Sequence, residues 1–142
     1  MLRSDRLKKM LGMIAAAASA ELKRLAAFGA VGFASFCVYL ALVAVCVGAG
    51  LGQIAGALVG FVGGTIVSFF GNCRFVFRAP PTTVAGGRFL ATTMAGFALN
   101  LALAWTLTTL GFHYALMTLV IFLVVPGFNY VGHRLWTFAD RD

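Results

Sequence analysis

Four arginines stand where long apolar stretches begin or end: Arg74, Arg78, Arg88 and Arg134. The arginine side chain is a planar, permanently charged fork, suited to holding phosphate oxygens. Close to these arginines lie Asn72, Asn129, His133 and Trp136, and Asn100 sits inside an otherwise apolar run. These residue types support anion binding at the rim of an apolar region, with polar groups leading inward. The plainer reading is that the arginines set orientation in a membrane and meet anionic lipid head groups. For Asn100, the structural reading is an interhelical hydrogen bond.

Other chemistry lacks its residues. No carboxylate occurs between Glu21 and Asp140. Nothing acidic is available to hold a catalytic metal or to act as a base, so no catalytic residue is assigned and no enzyme is expected. Proton-coupled drug export would want an ionisable group inside the membrane. Cys37, Cys46 and Cys73 have neither ligand nor disulfide spacing, and His113 and His133 are far apart. No metal, cofactor or nucleic-acid partner is expected.

The elements that position these residues follow from composition. Of 142 residues, 61% are hydrophobic and 11% charged, and the mean hydropathy is +0.96. A soluble domain is about 45–50% apolar and about 25% charged. Residues 25–73 and 89–133 carry no charge at all. A span needs about 20 apolar residues, so each block fits two helices and a turn. Glycines mark the first turn at 47–52, and Gly111-Phe112-His113-Tyr114 marks the second. The expected fold is an all-α membrane protein with spans at about 26–47, 53–73, 89–110 and 114–134. The middle loop, about 75–88, contains Pro80-Pro81 and Gly86-Gly87.

All 11 basic residues fall before the first span, in the middle loop or after the fourth. The positive-inside rule then places both termini in the cytoplasm. Leu7, Met10, Leu11 and Ile14 share a helix face opposite Asp5, Lys8 and Lys9. This reads either as a short amphipathic helix on the inner leaflet or as a partly disordered tail. The organisation is therefore an N-terminal segment 1–24, a membrane domain 25–138 and a tail 139–142.

Gly56, Gly60, Gly64 and Ser68 recur every four residues in the second span. Small residues at this spacing let helices approach closely in lipid. The partner is either a helix of the same chain or a second copy in a dimer or higher oligomer. Pro126-Gly127 interrupts the fourth span and is expected to kink it. The pairs Phe75/Phe77 and Trp136/Phe138 suit an interfacial aromatic belt. The two halves also match: Arg24…Gly32-Phe33-Ala34 aligns with Arg88…Gly96-Phe97-Ala98 at an offset of 64. The segment from Gly71-Asn72-Cys73-Arg74 aligns with that from Gly132-His133-Arg134 at an offset of 61 or so. Two parallel-repeat hairpins are the expectation.

The endings Asn72-Cys73-Arg74-Phe75-Val76-Phe77 and His133-Arg134-Leu135-Trp136-Thr137-Phe138 are where the chain resembles the GtrA-like family of small four-span membrane proteins. The Arg24…Phe28…Gly32 and Arg88-Phe89 starts fit it too, and the resemblance covers roughly 24–138. Cys73 and His133 depart from the family's usual residues. The resemblance implies translocation of a polyprenyl-phosphate-linked sugar across the bacterial inner membrane, for cell-surface polysaccharide synthesis or modification. It implies that lipid, other membrane lipids and a glycosyltransferase as partners. In that light Arg74 and Arg134 together are the favoured phosphate ligands, with Arg88 and Arg78 beside them. A non-transporting anchor that recruits a glycosyltransferase is the alternative.

Overall fold

The computed structural model describes residues 2–139, without the side chains of 2–5 and 8. Arg141 and most of the 139–142 tail lie outside the described residues, as do the side chains of Arg3, Asp5 and Lys8. Four helices form: α1 Leu2–Gly48, α2 Gln53–Gly71, α3 Thr83–Thr109 and α4 Tyr114–Gly132. Two five-residue π-turns, Asn72–Val76 and His133–Thr137, continue α2 and α4. All four helices are long and apolar enough to cross a membrane. Large apolar side chains such as Phe33, Ile54, Trp105 and Phe122 face outward, as lipid-facing residues do. The fold is all-helical among the described residues.

The chain divides into two compact units, one up to Val76 and one from Phe77. In the first, α1 and α2 pair antiparallel. Both reverse turns in the chain use the same device: α1 and α3 end on a glycine of positive φ, Gly50 (86°) and Gly111 (76°). Leu51 N–H reaches Cys46 O at 2.9 Å, and Phe112 N–H reaches Leu107 O at 3.1 Å. These six-residue closures satisfy carbonyls that a helix end leaves open.

The glycine stripe of α2 is consumed within its own unit. Gly56, Gly60 and Gly64 are buried. A Cβ on Gly60 would stand 2.9 Å from Tyr39 O and from Val43 Cγ2, and one on Gly64 would stand 3.1 Å from Ser35 O. Of the two partners the spacing allowed, the helix of the same chain is the one observed.

Three sequence expectations are corrected. The N-terminal segment 1–24 is not a separate short helix, because α1 runs unbroken from Leu2 to Gly48. Residues 15–24 are mostly alanine, leucine, glutamate, lysine and arginine, the strongest helix formers, and no breaker intervenes. Glu21 and Arg24 pair at 3.5 Å in the helical turn that leads up to the expected boundary. The middle loop is shorter than 75–88. The π-turn extends to Val76, and α3 starts at Thr83 because Thr82 Oγ1 caps it by accepting the Ala85 N–H at 3.1 Å. Gly86-Gly87 therefore sit inside a helix, at its fourth and fifth residues. Pro126 does not interrupt the fourth span: α4 passes through it to Gly132.

Candidate functional site

In the second unit, α3 and α4 also pair antiparallel, and polar side chains gather where α3 begins and α4 ends. Thr92 Oγ1 and Thr137 Oγ1 are 3.2 Å apart, and Thr137 Oγ1 lies 3.1 Å from His133 Nδ1. Thr92 Oγ1 also donates to Arg88 O at 3.0 Å. All three side chains are buried. A buried hydroxyl or imidazole needs such partners, and most of all in an apolar solvent. The π-turn makes the set possible. Its extra residue per turn re-aims the end of α4, so that His133 and Thr137 both face α3.

Aromatic rings close the same core. His133 stacks on Phe89 with centroids 4.2 Å apart. Phe77 stacks on Phe138 at 4.7 Å and faces Tyr130 at 6.1 Å. This divides the aromatic pairs that the sequence placed together in an interfacial belt. Phe77 is fully buried and Phe138 nearly so, whereas Phe75 is 65% and Trp136 50% exposed. Residues two apart at a helix end point to different sides, so one member of each pair packs inward and the other meets the interface.

The four arginines are placed differently. Arg74, Arg78 and Arg134 are exposed, and Arg88 is half-buried. Arg88 donates to the backbone carbonyl of Trp136 at 3.2 Å, across from α3 to the second π-turn. Arg74 belongs to the first unit, the other three to the second. Arg78 has φ +51°, the one non-glycine residue with positive φ among the described residues. That turn sends the chain into Ala79-Pro80, which form one wall of a cavity of about 330 Å³. Arg88, Thr82, Ala85, Thr137 and Phe138 line the rest.

The remaining polar candidates fall at several depths. Asn72 is 1% exposed. Its Nδ2 donates to Ser68 O at 2.7 Å, while its Oδ1 has no hydrogen-bond partner. Asn129 Oδ1 is likewise buried without a partner. It lies against Gly96, where a Cβ would overlap it. Asn100 is half-buried. His113 caps α4, its Nδ1 accepting the Ala115 N–H at 3.4 Å. Cys37, Cys46 and Cys73 form no disulfide. Among the described residues, no group of three or more His, Cys, Asp or Glu could hold a metal ion.

Sequence reasoning missed Thr82 and Thr92, and it named Phe89 and Thr137 only as parts of the family's motifs, without a role. Thr92 carried a usable signal: it follows Arg88 by one helical turn, which puts its hydroxyl on the arginine's face. Spacing could not aim Thr137 at Thr92, because its direction depends on a π-turn.

Antiparallel helical hairpins with lipid-facing exteriors and a basic rim at the span ends define a multi-pass membrane protein. Residues 27–138 match the family model of the GtrA/DPMS transmembrane domain, and the chain belongs to that family. No curated protein matches it at a significant level.

Proposed function

We propose that this protein translocates a polyprenyl-phosphate-linked sugar across the cytoplasmic membrane, for the synthesis or modification of cell-surface polysaccharide. The observation that carries this reading is Arg88, a half-buried cation beside a cavity at the end of a membrane hairpin. It stands in a chain of the GtrA/DPMS family. In this reading Arg74, Arg78 and Arg134 form an exposed basic rim that draws in an anionic head. Asn72, Asn100, Asn129, His133 and Trp136 supply polar groups toward the span interiors. The protein is not itself an enzyme. Movement is driven by supply on one side and consumption on the other, because residues 25–73 and 89–133 hold no carboxylate for proton coupling.

The two hairpins read as a parallel repeat with both termini cytoplasmic. Gly71 faces Val31 and Gly132 faces Thr92. Both glycines and both partners are 61 residues apart, which favours one offset of 61 over the 64 suggested by the Gly-Phe-Ala matches. A dimer or higher oligomer would use faces other than the α2 glycine stripe.

One observation favours a second reading, a membrane anchor that recruits a glycosyltransferase. At 1.5 Å per residue α1 is about 70 Å long, roughly twice what a bilayer core of about 30 Å requires. Its projecting part exposes Leu7, Met10, Leu11 and Ile14. Reconstitution separates the two readings. Purified protein alone in liposomes is expected to move a lipid-linked sugar to the opposite leaflet. Correctly folded protein that leaves the sugar in its original leaflet would overturn translocation and favour the anchor.

A further inference from the structure

The sequence favours Arg74 and Arg134 among the four arginines, and the structure sets Arg88 apart instead. We propose that the cavity beside Arg88 is the seat of the phosphate of a polyisoprenyl lipid, and that Arg88 is its ligand rather than Arg74 or Arg134. This rests on the reading above for the identity of the lipid, but not for the presence of a phosphate seat.

Three observations carry it. First, Arg88 is the one of these arginines that lines the cavity, and it is half-buried. Lining the cavity brings its planar, permanently charged fork within reach of a bound head group, and that fork suits phosphate oxygens. Second, its orientation is fixed. The Trp136 carbonyl takes one N–H at 3.2 Å, and that carbonyl belongs to a π-turn anchored by the Thr92, Thr137 and His133 contacts. A guanidinium carries five N–H donors in a rigid fork, so it can hold a carbonyl and a phosphate together. Third, the composition of the walls fits an amphiphile's head. Thr82 brings a hydroxyl, while Pro80, Val84, Ala85 and Phe138 bring apolar surface. A volume of about 330 Å³ lies at the small end of ligand pockets, about 300–1,000 Å³. It admits a head group and leaves a long prenyl tail on the apolar outside of the helices.

Trp136 makes the test direct. In a Trp105→Phe background it is the single tryptophan, and its carbonyl holds Arg88. The full-length protein in detergent micelles is titrated with polyisoprenyl phosphate while Trp136 fluorescence is followed. Parallel arms use polyisoprenol, inorganic phosphate and phosphatidylglycerol. A saturable change with polyisoprenyl phosphate is expected, weakened at least tenfold in Arg88→Gln and within twofold of wild type in Lys23→Gln. Pro80→Phe, at an exposed lining position, obstructs the cavity without removing a charge and is expected to weaken binding to a similar degree. It keeps the test decisive if Arg88→Gln does not fold.

Undiminished binding in both variants would overturn the seat. Equal affinity for polyisoprenol or phosphatidylglycerol would overturn phosphate-lipid recognition, and equal affinity for inorganic phosphate would overturn the role of the lipid. The two proposals fail separately. Translocation that survives both variants removes the seat and leaves translocation. Arg88-dependent binding without translocation leaves the seat and removes translocation.

Discussion

His133 lies flat against Phe89, with ring centroids 4.2 Å apart and planes 7° apart. The same imidazole lies 3.1 Å through Nδ1 from Thr137 Oγ1. One side chain thus joins α3 to the second π-turn by a stacked face and a polar edge. The residue read from the sequence as part of a polar path is built into the core of its unit. An aromatic pair of this kind contributes about 0.5–1.5 kcal/mol beyond the area it buries. A double-mutant cycle with Phe89→Leu and His133→Gln, measured by denaturation in mixed micelles, is expected to return a coupling in that range. Additive losses would mean that the stack holds nothing.

The glycines predict opposite effects at two positions. A Cβ on Gly60 meets Tyr39 and Val43 at 2.9 Å, whereas one on Gly29 meets nothing within 4 Å. Overpacking a fitted interface costs about 1–3 kcal/mol. Replacing glycine by alanine inside a helix gains about 0.5–1 kcal/mol when the space is open. Gly60→Ala is therefore expected to lower the denaturation midpoint and Gly29→Ala to raise it. Equal effects at the two sites would show that α1 and α2 are not packed in this register.

Much of this was legible in the sequence, for identifiable reasons. The spans were legible because lipid imposes one crude requirement, an unbroken apolar run, and the turns because Gly50 and Gly111 occupy positive φ. The start of α3 was misplaced because Pro80-Pro81 and Gly86-Gly87 look like a loop, and their composition hid the single capping hydroxyl of Thr82. The split of Phe75 from Phe77, and of Trp136 from Phe138, depends on how far a π-turn rotates the chain. Spacing alone does not record that rotation. For the same reason spacing did not single out Arg88, and the sequence favoured Arg134 instead. Its half-burial follows from which wall the segment after Arg78 builds.

Arg78 itself carries a backbone cost. Its φ of +51° places an L side chain in the left-handed region, at roughly 1–2 kcal/mol. Glycine has no such penalty, although it adds freedom to the unfolded chain. Arg78→Gly is expected to hold or raise stability, by up to about 1 kcal/mol, despite the loss of a charge. Arg78→Ala, which removes the charge and keeps the strain, is expected to give no gain. The two variants compared by denaturation in one detergent isolate the backbone contribution, and a gain in Arg78→Ala alone would contradict it.

Asn129 offers a way to separate function from stability. Its Oδ1 is buried without a partner against Gly96. An unsatisfied polar atom costs about 1–3 kcal/mol, while an apolar group of similar shape avoids that cost. Asn129→Leu is expected to fold at least as stably as the wild type. If the amide serves the substrate, the same variant loses translocation in liposomes. A variant that is both stable and fully active would remove Asn129 from the path, and a strongly destabilised one would show that the amide is structural.

Orientation is the last prediction, and the turns report it. Neither the 49–52 turn nor the 110–113 turn contains a lysine or arginine, while the segment between Val76 and Thr83 holds Arg78. The positive-inside rule puts the two turns outside and that segment in the cytoplasm. Cys37, Cys46 and Cys73 are replaced by alanine, and single cysteines are introduced as Ala49→Cys, Phe112→Cys and Pro81→Cys. These positions avoid the positive-φ glycines, so the turns keep their shape. A membrane-impermeant maleimide on intact spheroplasts is expected to label Ala49→Cys and Phe112→Cys, and to label Pro81→Cys only after lysis. The reverse pattern would turn the cavity beside Arg88 outward. A lipid-linked sugar made in the cytoplasm would then reach that cavity last rather than first, and the seat would serve release rather than capture.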